Sequence, residues 1–287
     1  MTHPLRVLIV SPEAAPFAVA GGLAEAARDL AAALSRQGVA VSLVLPKYRR
    51  PEIEALTLEP VLLELSVPLG GDKVKASVLK AEAGFGPVFF VDYPKYFCRH
   101  EIYGSAKEEY LDNDERFTFF DRAVLEFVLK LKIPVDVIHC HDWPTALVPL
   151  FLRTHYAQKS HFKDTATVLS IHNTAQQGKF PAESLAWTGL NWDYFTSDQL
   201  ALNGRFNFLK AGLIFSDALN VVRADWKEAL LAGEAGSGFE GILQRRSAGL
   251  SRIRNGTDET TWETAAKEHL ELYAKAIGAK RGGQSGR

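Results

Sequence analysis

The string His139-Cys140-His141-Asp142-Trp143-Pro144 puts two imidazoles, a carboxylate and an indole next to one another, where the apolar run Val135 to His139 gives way to a helical pattern. Ligands of open α/β sheets sit at the carboxyl ends of strands, so these side chains are placed for a site. An aromatic ring beside a carboxylate suits a sugar: the ring packs on the apolar face of a pyranose, and Asp142 accepts hydroxyl hydrogen bonds. Three readings stay open from these residues alone. They are a sugar or other polar ligand, capping of the helix that follows, and a metal held by the His-x-His pair. No obvious acidic ligand cluster accompanies the pair, which counts against the metal.

Three other strings fall at similar places. Ser170-Ile171-His172-Asn173 ends another apolar run, where His172 can meet a substrate hydroxyl with one ring nitrogen or be a satisfied core histidine. Ser11-Pro12-Glu13 and Gly21-Gly22 lie between the first strand and a helix start. Paired glycines let a ligand approach the backbone there, and a helix N-terminus attracts anions such as phosphate. The spacing is not GxGxxG, so a dinucleotide site is poorly supported, and an ordinary βα turn is the plain alternative. Arg254-Asn255-Gly256-Thr257-Asp258 reads mainly as turn chemistry, and Asp112-Asn113 as the N-cap of a Phe-rich helix.

The elements that position these residues alternate. Leu5 to Val10 is a short strand; Leu23, Ala27, Leu30 and Leu34 recur at helical spacing until Gly38; Val39 to Leu45 is a second buried strand. Val61 to Val67, Val74 to Leu79 and Val88 to Val91 read as a hairpin insertion, followed by a helix over Asn113 to Leu131. Strands Val135 to His139, Thr167 to Ile171 and Ala218 to Val222 then alternate with helices at Trp143 to Tyr156, Phe206 to Phe215, Trp226 to Leu231 and Phe239 to Ser247. The pattern predicts a single Rossmann-like, doubly wound parallel α/β sheet. A last helix carries the stripe Trp262, Ala266, Leu270, Tyr273 and Ile277, with a capping box at Thr260 and Glu263 and Gly278 placed to end it.

The 287 residues suffice for one large domain or two ordinary ones. Lys+Arg 33 against Asp+Glu 34 leaves a net charge of -1, so no basic excess exists for phosphate backbones or anionic lipid, and neither nucleic acid nor membrane is an expected partner. No apolar stretch approaches the ~18 residues of a membrane span. With Cys98 and Cys140 as the only cysteines, a reducing, cytoplasmic setting is expected.

Taken in order, the strings resemble the bacterial glycogen synthase and plant starch synthase family. The matches are Ser11 to Pro16 with Gly21 to Ala24, Tyr110 to Asn113 with Arg116-Phe117, His139 to Trp143, Ile171 to Gly178, Phe208 to Leu213, Gly238 to Leu243 and Asn255 to Asp258. The resemblance implies a lobe of the GT-B arrangement that transfers glucose from ADP-glucose (or UDP-glucose) to the nonreducing end of an α-1,4-glucan, with retention and without a metal or other cofactor. It implies catalytic roles for Asp142 and His172. Gly21 and Gly22 would face the diphosphate, Trp143 would lie beside the sugar, Asn255 would help hold the glucose, and Glu13 and Glu25 would be substrate-binding. Val19 stands where the family has Lys, Glu25 where it has Asp, and Pro144 where it has His. Removing an ammonium loses a charge-assisted contact.

The family would continue after Asp258 into a second lobe bearing the Arg and Lys that stabilise the leaving diphosphate. Here Thr261-Trp262-Glu263 follows at once and resembles the family's last helix, which crosses back onto the first lobe. The expected division is therefore an acceptor-side lobe over residues 1–258, a returning helix over 259–278 and a flexible tail over 279–287. Two functions follow. One is a glucosyltransferase lobe, inactive alone unless a separate chain supplies the donor lobe. The other is a non-catalytic glucan- or maltooligosaccharide-binding module or degenerate relic, and a metal hydrolase using His139 and His141 ranks below both.

Overall fold

A computed structural model describes residues 3–105, 108–222 and 238–282. The helix expected at Trp226 to Leu231 lies outside the described residues, as does the end of the tail. One nine-stranded sheet organises the chain, in the order β12-β11-β7-β6-β1-β2-β5-β4-β3. Its parallel part comprises β1 (Arg6–Val10), β2 (Ala40–Pro46), β5 (Gly86–Asp92), β6 (Val137–His141), β7 (Ala166–Ile171), β11 (Ala218–Val221) and β12 (Leu250–Ser251). The expected hairpin, β3 (Glu59–Leu69) with β4 (Asp72–Ala83), does not stand apart from this sheet. It extends it, because β4 pairs antiparallel with β5 while β5 runs parallel to β2. A separate three-stranded sheet is formed by β8 (Lys179–Phe180), β10 (Arg205–Asn207) and β9 (Ala201–Leu202).

The centre of the parallel sheet is a continuous apolar layer. Val7 to Val10, Val137, Ile138 and Val168 are all 2% exposed or less, as strands covered on both faces require. Helices α1 (Gly22–Arg36) and α2 (Asn113–Leu131) supply apolar faces to that layer, the second through Phe117, Phe120, Val124 and Phe127. No helix among the described residues is long and apolar enough to cross a membrane.

Three expectations move. Strand β6 begins at Val137 rather than Val135, because Asp136 is spent on the neighbouring strand: its carboxylate takes the Arg6 backbone N–H at 2.9 Å and the guanidinium at 2.6 Å. The ladder then runs Val7 to Val137 through Val10 to Cys140, and His141 pairs with Ser170 of β7, so the strand continues past the expected end at His139 to include Cys140 and His141. Helix α3 (Glu259–Gly282) is started by the Asp258 carboxylate, which accepts the Thr261 N–H at 2.9 Å, in place of a Thr260–Glu263 box. It also runs through Gly278 to Gly282, since a glycine weakens a helix without stopping one whose neighbouring turns are packed. Trp262, Ala266, His269 and Tyr273 bury its inner face against α1, β7 and β11.

Candidate functional site

Successive strands leave β1 in opposite directions across the sheet, β2 to one side and β6 to the other. The carboxyl ends of β1 and β6 therefore splay apart at a switch point, where an open α/β sheet has its crevice. A cleft of about 480 Å³ lies there, lined by Glu13, Gly21, Gly22, Asp142, Trp143, His172 and Asn255 among others. Of the residues to which the resemblance gives catalytic or substrate-binding roles, Glu25 falls outside this lining; it sits exposed on the first turn of α1. A larger cavity, about 600 Å³, lies at the amino edge of the sheet under Arg153, Arg246 and Lys280. Its arginines are spent on Asp217 and on the last carbonyls of the helix Phe208–Phe215, so the chemistry concentrates in the smaller cleft.

Asp142 follows β6 with φ 58° and ψ −175°, a region that side chains other than glycine seldom occupy and that costs about 1–3 kcal/mol. Several bonds hold it there. Its N–H donates to the Ser170 carbonyl at 2.9 Å, and its Oδ1 accepts the backbone N–H groups of His172 at 2.7 Å and Asn173 at 3.3 Å. The residue is 8% exposed, and burial pushes its carboxyl up to about 7 against the opposing pull of those two N–H groups. Its second oxygen has no partner among the described residues.

Glu13 is 3% exposed and spans its own loop. One oxygen accepts the N–H groups of Ala20 at 2.7 Å and Gly21 at 2.9 Å, and the other accepts the Tyr103 hydroxyl at 2.8 Å. Burial raises its pKa, with hydrogen bonds opposing and Glu25 adding to the rise. The Gly21 N–H expected to meet a diphosphate is thus already donated to a carboxylate. The glycines themselves are not demanded by the fold: Gly21 is extended at φ −158°, and a Cβ at either position would meet nothing within 4 Å. The open space beside them is the cleft.

Trp143 lines the cleft but is only 4% exposed, its ring wedged among Phe117, Phe180 and Phe208 with centroids 5.0, 5.6 and 6.2 Å away. It gives the cleft an edge and no free face on which a pyranose could stack. Gly178, with φ +60°, makes this packing possible, because a Cβ there would lie 2.5 Å from the indole.

Behind the cleft the histidines form a buried column. His172 Nε2 and His141 Nδ1 are 3.0 Å apart, and the His141 ring lies over that of His139 with centroids 4.4 Å apart. His139 bonds Tyr273 Oη through Nδ1 and Ser170 Oγ through Nε2, both at 2.8 Å. Both nitrogens of His139 being engaged, the His-x-His pair does not present two free lone pairs, which removes the basis of the metal reading. Burial pushes all of these imidazoles down, His172 to about 3 and His269 of α3 to about 4, and mutual repulsion within the cluster adds to it for His172, His141 and His139. They are neutral at physiological pH.

Some positioning residues carried no clear signal. Tyr103 is one: Asn113 Nδ2 holds its carbonyl at 2.8 Å, while Arg116 holds the neighbouring Ile102 carbonyl at 2.8 Å. Asn113 and Arg116 thereby place the Tyr103 hydroxyl on Glu13, and Asp112 stands at the N-cap as expected, with its carboxylate making no cap bond and pairing with Arg99 at 2.5 Å. Asn220 is another, clamping the Ile253 N–H at 2.7 Å and so fixing the approach to Asn255. Asn173, Gln176 and Val222 also line the cleft. Their nearness to the site depends on contacts between distant segments, which local patterns do not encode.

Residues 6–245 match the family model described as the starch synthase catalytic domain. The chain is 38% identical over 278 residues to "Glycogen synthase 2" of Geobacter sulfurreducens, covering 96% of this chain and 57% of that protein. It is 35% identical to the glycogen synthase of Moorella thermoacetica, covering 99% and 57% respectively. Among solved structures it is similar to the catalytic domain of starch synthase IV from Arabidopsis thaliana bound to ADP and acarbose, with TM-score 0.81, 29% identity, and coverage of 90% of this chain and 53% of that one. The chain spans a little over half the length of these curated relatives.

Proposed function

The chain belongs to the starch synthase catalytic domain family, and from that premise we propose that its cleft is the sugar-handling face of a cytoplasmic glucosyltransferase lobe. The reaction is transfer of glucose from ADP-glucose to the nonreducing end of an α-1,4-glucan. One observation carries the reading: Glu13, Asp142, His172 and Asn255, from the loops after four different strands, line a single cleft at the switch point. In this reading Asp142 offers its unpartnered oxygen to a sugar hydroxyl, His172 hydrogen-bonds the donor glucose, and Asn255 helps to hold it. With a carboxyl near 7, Asp142 exchanges between accepting and donating a hydrogen bond at neutral pH.

Breaking the bond from glucose C1 to the diphosphate leaves negative charge that needs cationic donors, and removing one such donor costs roughly 100- to 1000-fold in rate. The described residues lining the cleft include no Lys or Arg. This supports a division in which residues 1–258 are the acceptor-side lobe and Glu259–Gly282 the returning helix, with the donor lobe coming from outside these 287 residues or from a separate chain. The same feature favours a second reading, a module that binds maltooligosaccharide without transferring glucose.

Two measurements separate the readings. The purified chain, given ADP-glucose and a maltooligosaccharide primer, is expected to elongate nothing, and measurable elongation overturns the incomplete-site reading. Calorimetric titration with maltooligosaccharide is expected to show binding at millimolar sugar. Absence of heat with both maltooligosaccharide and ADP-glucose overturns a sugar-handling cleft altogether.

A further inference from the structure

The His141–His172 contact joins two nitrogens of neutral imidazoles, so one hydrogen lies between them and one ring must donate it. His141 Nε2 decides which. Among the described residues it is sealed from solvent and has no hydrogen-bond partner, whereas His172 is only partly buried and lines the cleft. If His172 donated through Nε2, His141 would carry its own hydrogen on Nε2, and that buried N–H would have no acceptor. If His141 donates through Nδ1, its Nε2 is only a bare lone pair. Buried N–H groups without an acceptor are the rarer and costlier of the two. Neither ring escapes by protonation, because burial among other histidines disfavours the charged form of both.

We infer that His141 is a positioning residue: by donating from Nδ1 to His172 Nε2 it holds His172 as the Nδ1–H tautomer, so that the cleft is offered a neutral imidazole N–H donor. The partner this selects is an oxygen acceptor, and on the proposed function, on which this last step alone rests, that acceptor is a hydroxyl oxygen of the donor glucose. The opposite tautomer would offer only a lone pair and would select a hydroxyl hydrogen instead. The strand register makes this possible. His139 and His141 project to the same face of β6, and His139, held by Tyr273 and Ser170, stacks against the His141 ring and limits its rotation.

The test is nitrogen-15 NMR of the imidazoles in the labelled 287-residue chain without ligand, the His172 signals being those lost in His172→Gln. The expected spectrum has protonated-type Nδ1 and bare-type Nε2 at His172; a protonated Nε2 overturns the inference whatever the chain binds. His141→Asp, read above the pH at which its buried carboxyl ionises and is an acceptor only, should move the hydrogen to His172 Nε2 and exchange the two shifts, while His141→Asn, whose amide can donate from the same position, should leave them in place. An unexchanged His172 in folded His141→Asp removes the role assigned to His141. If that variant does not fold, His141→Leu serves, with a mixture of tautomers expected and an unmixed Nδ1–H form overturning the role. Addition of ADP-glucose is read separately: a retained tautomer with no response at His172 leaves the positioning intact and counts against the glucose reading alone.

Discussion

Asp142 Oδ1 accepts the backbone N–H of His172 at 2.7 Å, so the carboxylate that ends β6 fixes the start of the loop that ends β7. The two residues singled out as catalytic are therefore one structural unit. Replacing either one disturbs the placement of the other, and the variants must be chosen with that in mind.

The φ of 58° at Asp142 separates two substitutions that both remove the carboxylate. Asp142→Ala keeps a Cβ in the unfavourable region, while Asp142→Gly does not. Both lose the bonds to His172 and Asn173, at about 1–3 kcal/mol. Urea melts should show the alanine variant less stable than the glycine variant by about 1 kcal/mol. The reverse order would show that the backbone at Asp142 is not held in the left-handed region in solution.

Asp142 also gives a pH dependence with a definite sign. Its carboxyl is raised in the folded chain from 3.8 to about 7, so the stability linked to it is complete below about pH 4 and is lost as pH rises through 7. His172 and His269, held at about 3 and about 4, act oppositely: their contribution is complete above about pH 6.5 and is lost as pH falls through 4 toward 3. Asp142→Asn removes only the first effect. Its stability relative to the native chain should rise from about pH 4.5 to about pH 7.5, by on the order of a few kcal/mol. A difference that stays flat between these pH values contradicts a raised carboxyl.

Gly178→Ala should be severe for one added methyl group. The new Cβ would sit 2.5 Å from the Trp143 ring in a backbone already at φ +60°. Overpacking of this kind costs about 1–3 kcal/mol. Thermal melts should register the loss, and the tryptophan emission of the folded variant should shift as the indole is displaced. An unchanged melting temperature would mean that the wedge around Trp143 is loose.

Tyr273→Phe tests the tie between α3 and the histidine column. It removes the hydroxyl on His139 Nδ1 and leaves a fully buried ring nitrogen without a partner, at about 1–3 kcal/mol. The measurement is the urea midpoint. A midpoint equal to that of the native chain would indicate that the helix seats on the sheet by apolar packing alone.

Much of this architecture is legible in the sequence because period and punctuation are local. The β-branched runs of β1 and β2, the apolar spacing of α1 and the Phe-rich face of α2 each follow from neighbours a few residues away, as does the single α/β lobe they build. The ordered motifs from Ser11 to Asp258 likewise identify the family without reference to any contact.

Other features were settled only when distant segments met. Pairing with β1 and β7, anchored by Arg6 on Asp136, carried the strand beyond His139 and drew Cys140 and His141 out of the loop. Packing among three phenylalanines turned Trp143 from a sugar platform into a wedge, and Glu13 reached across its loop to take the Gly21 N–H. In each case the chemistry offered by a side chain depends on which of its atoms already have partners. Those partners lie at sequence separations of 8 to 130 residues, where no local pattern reaches.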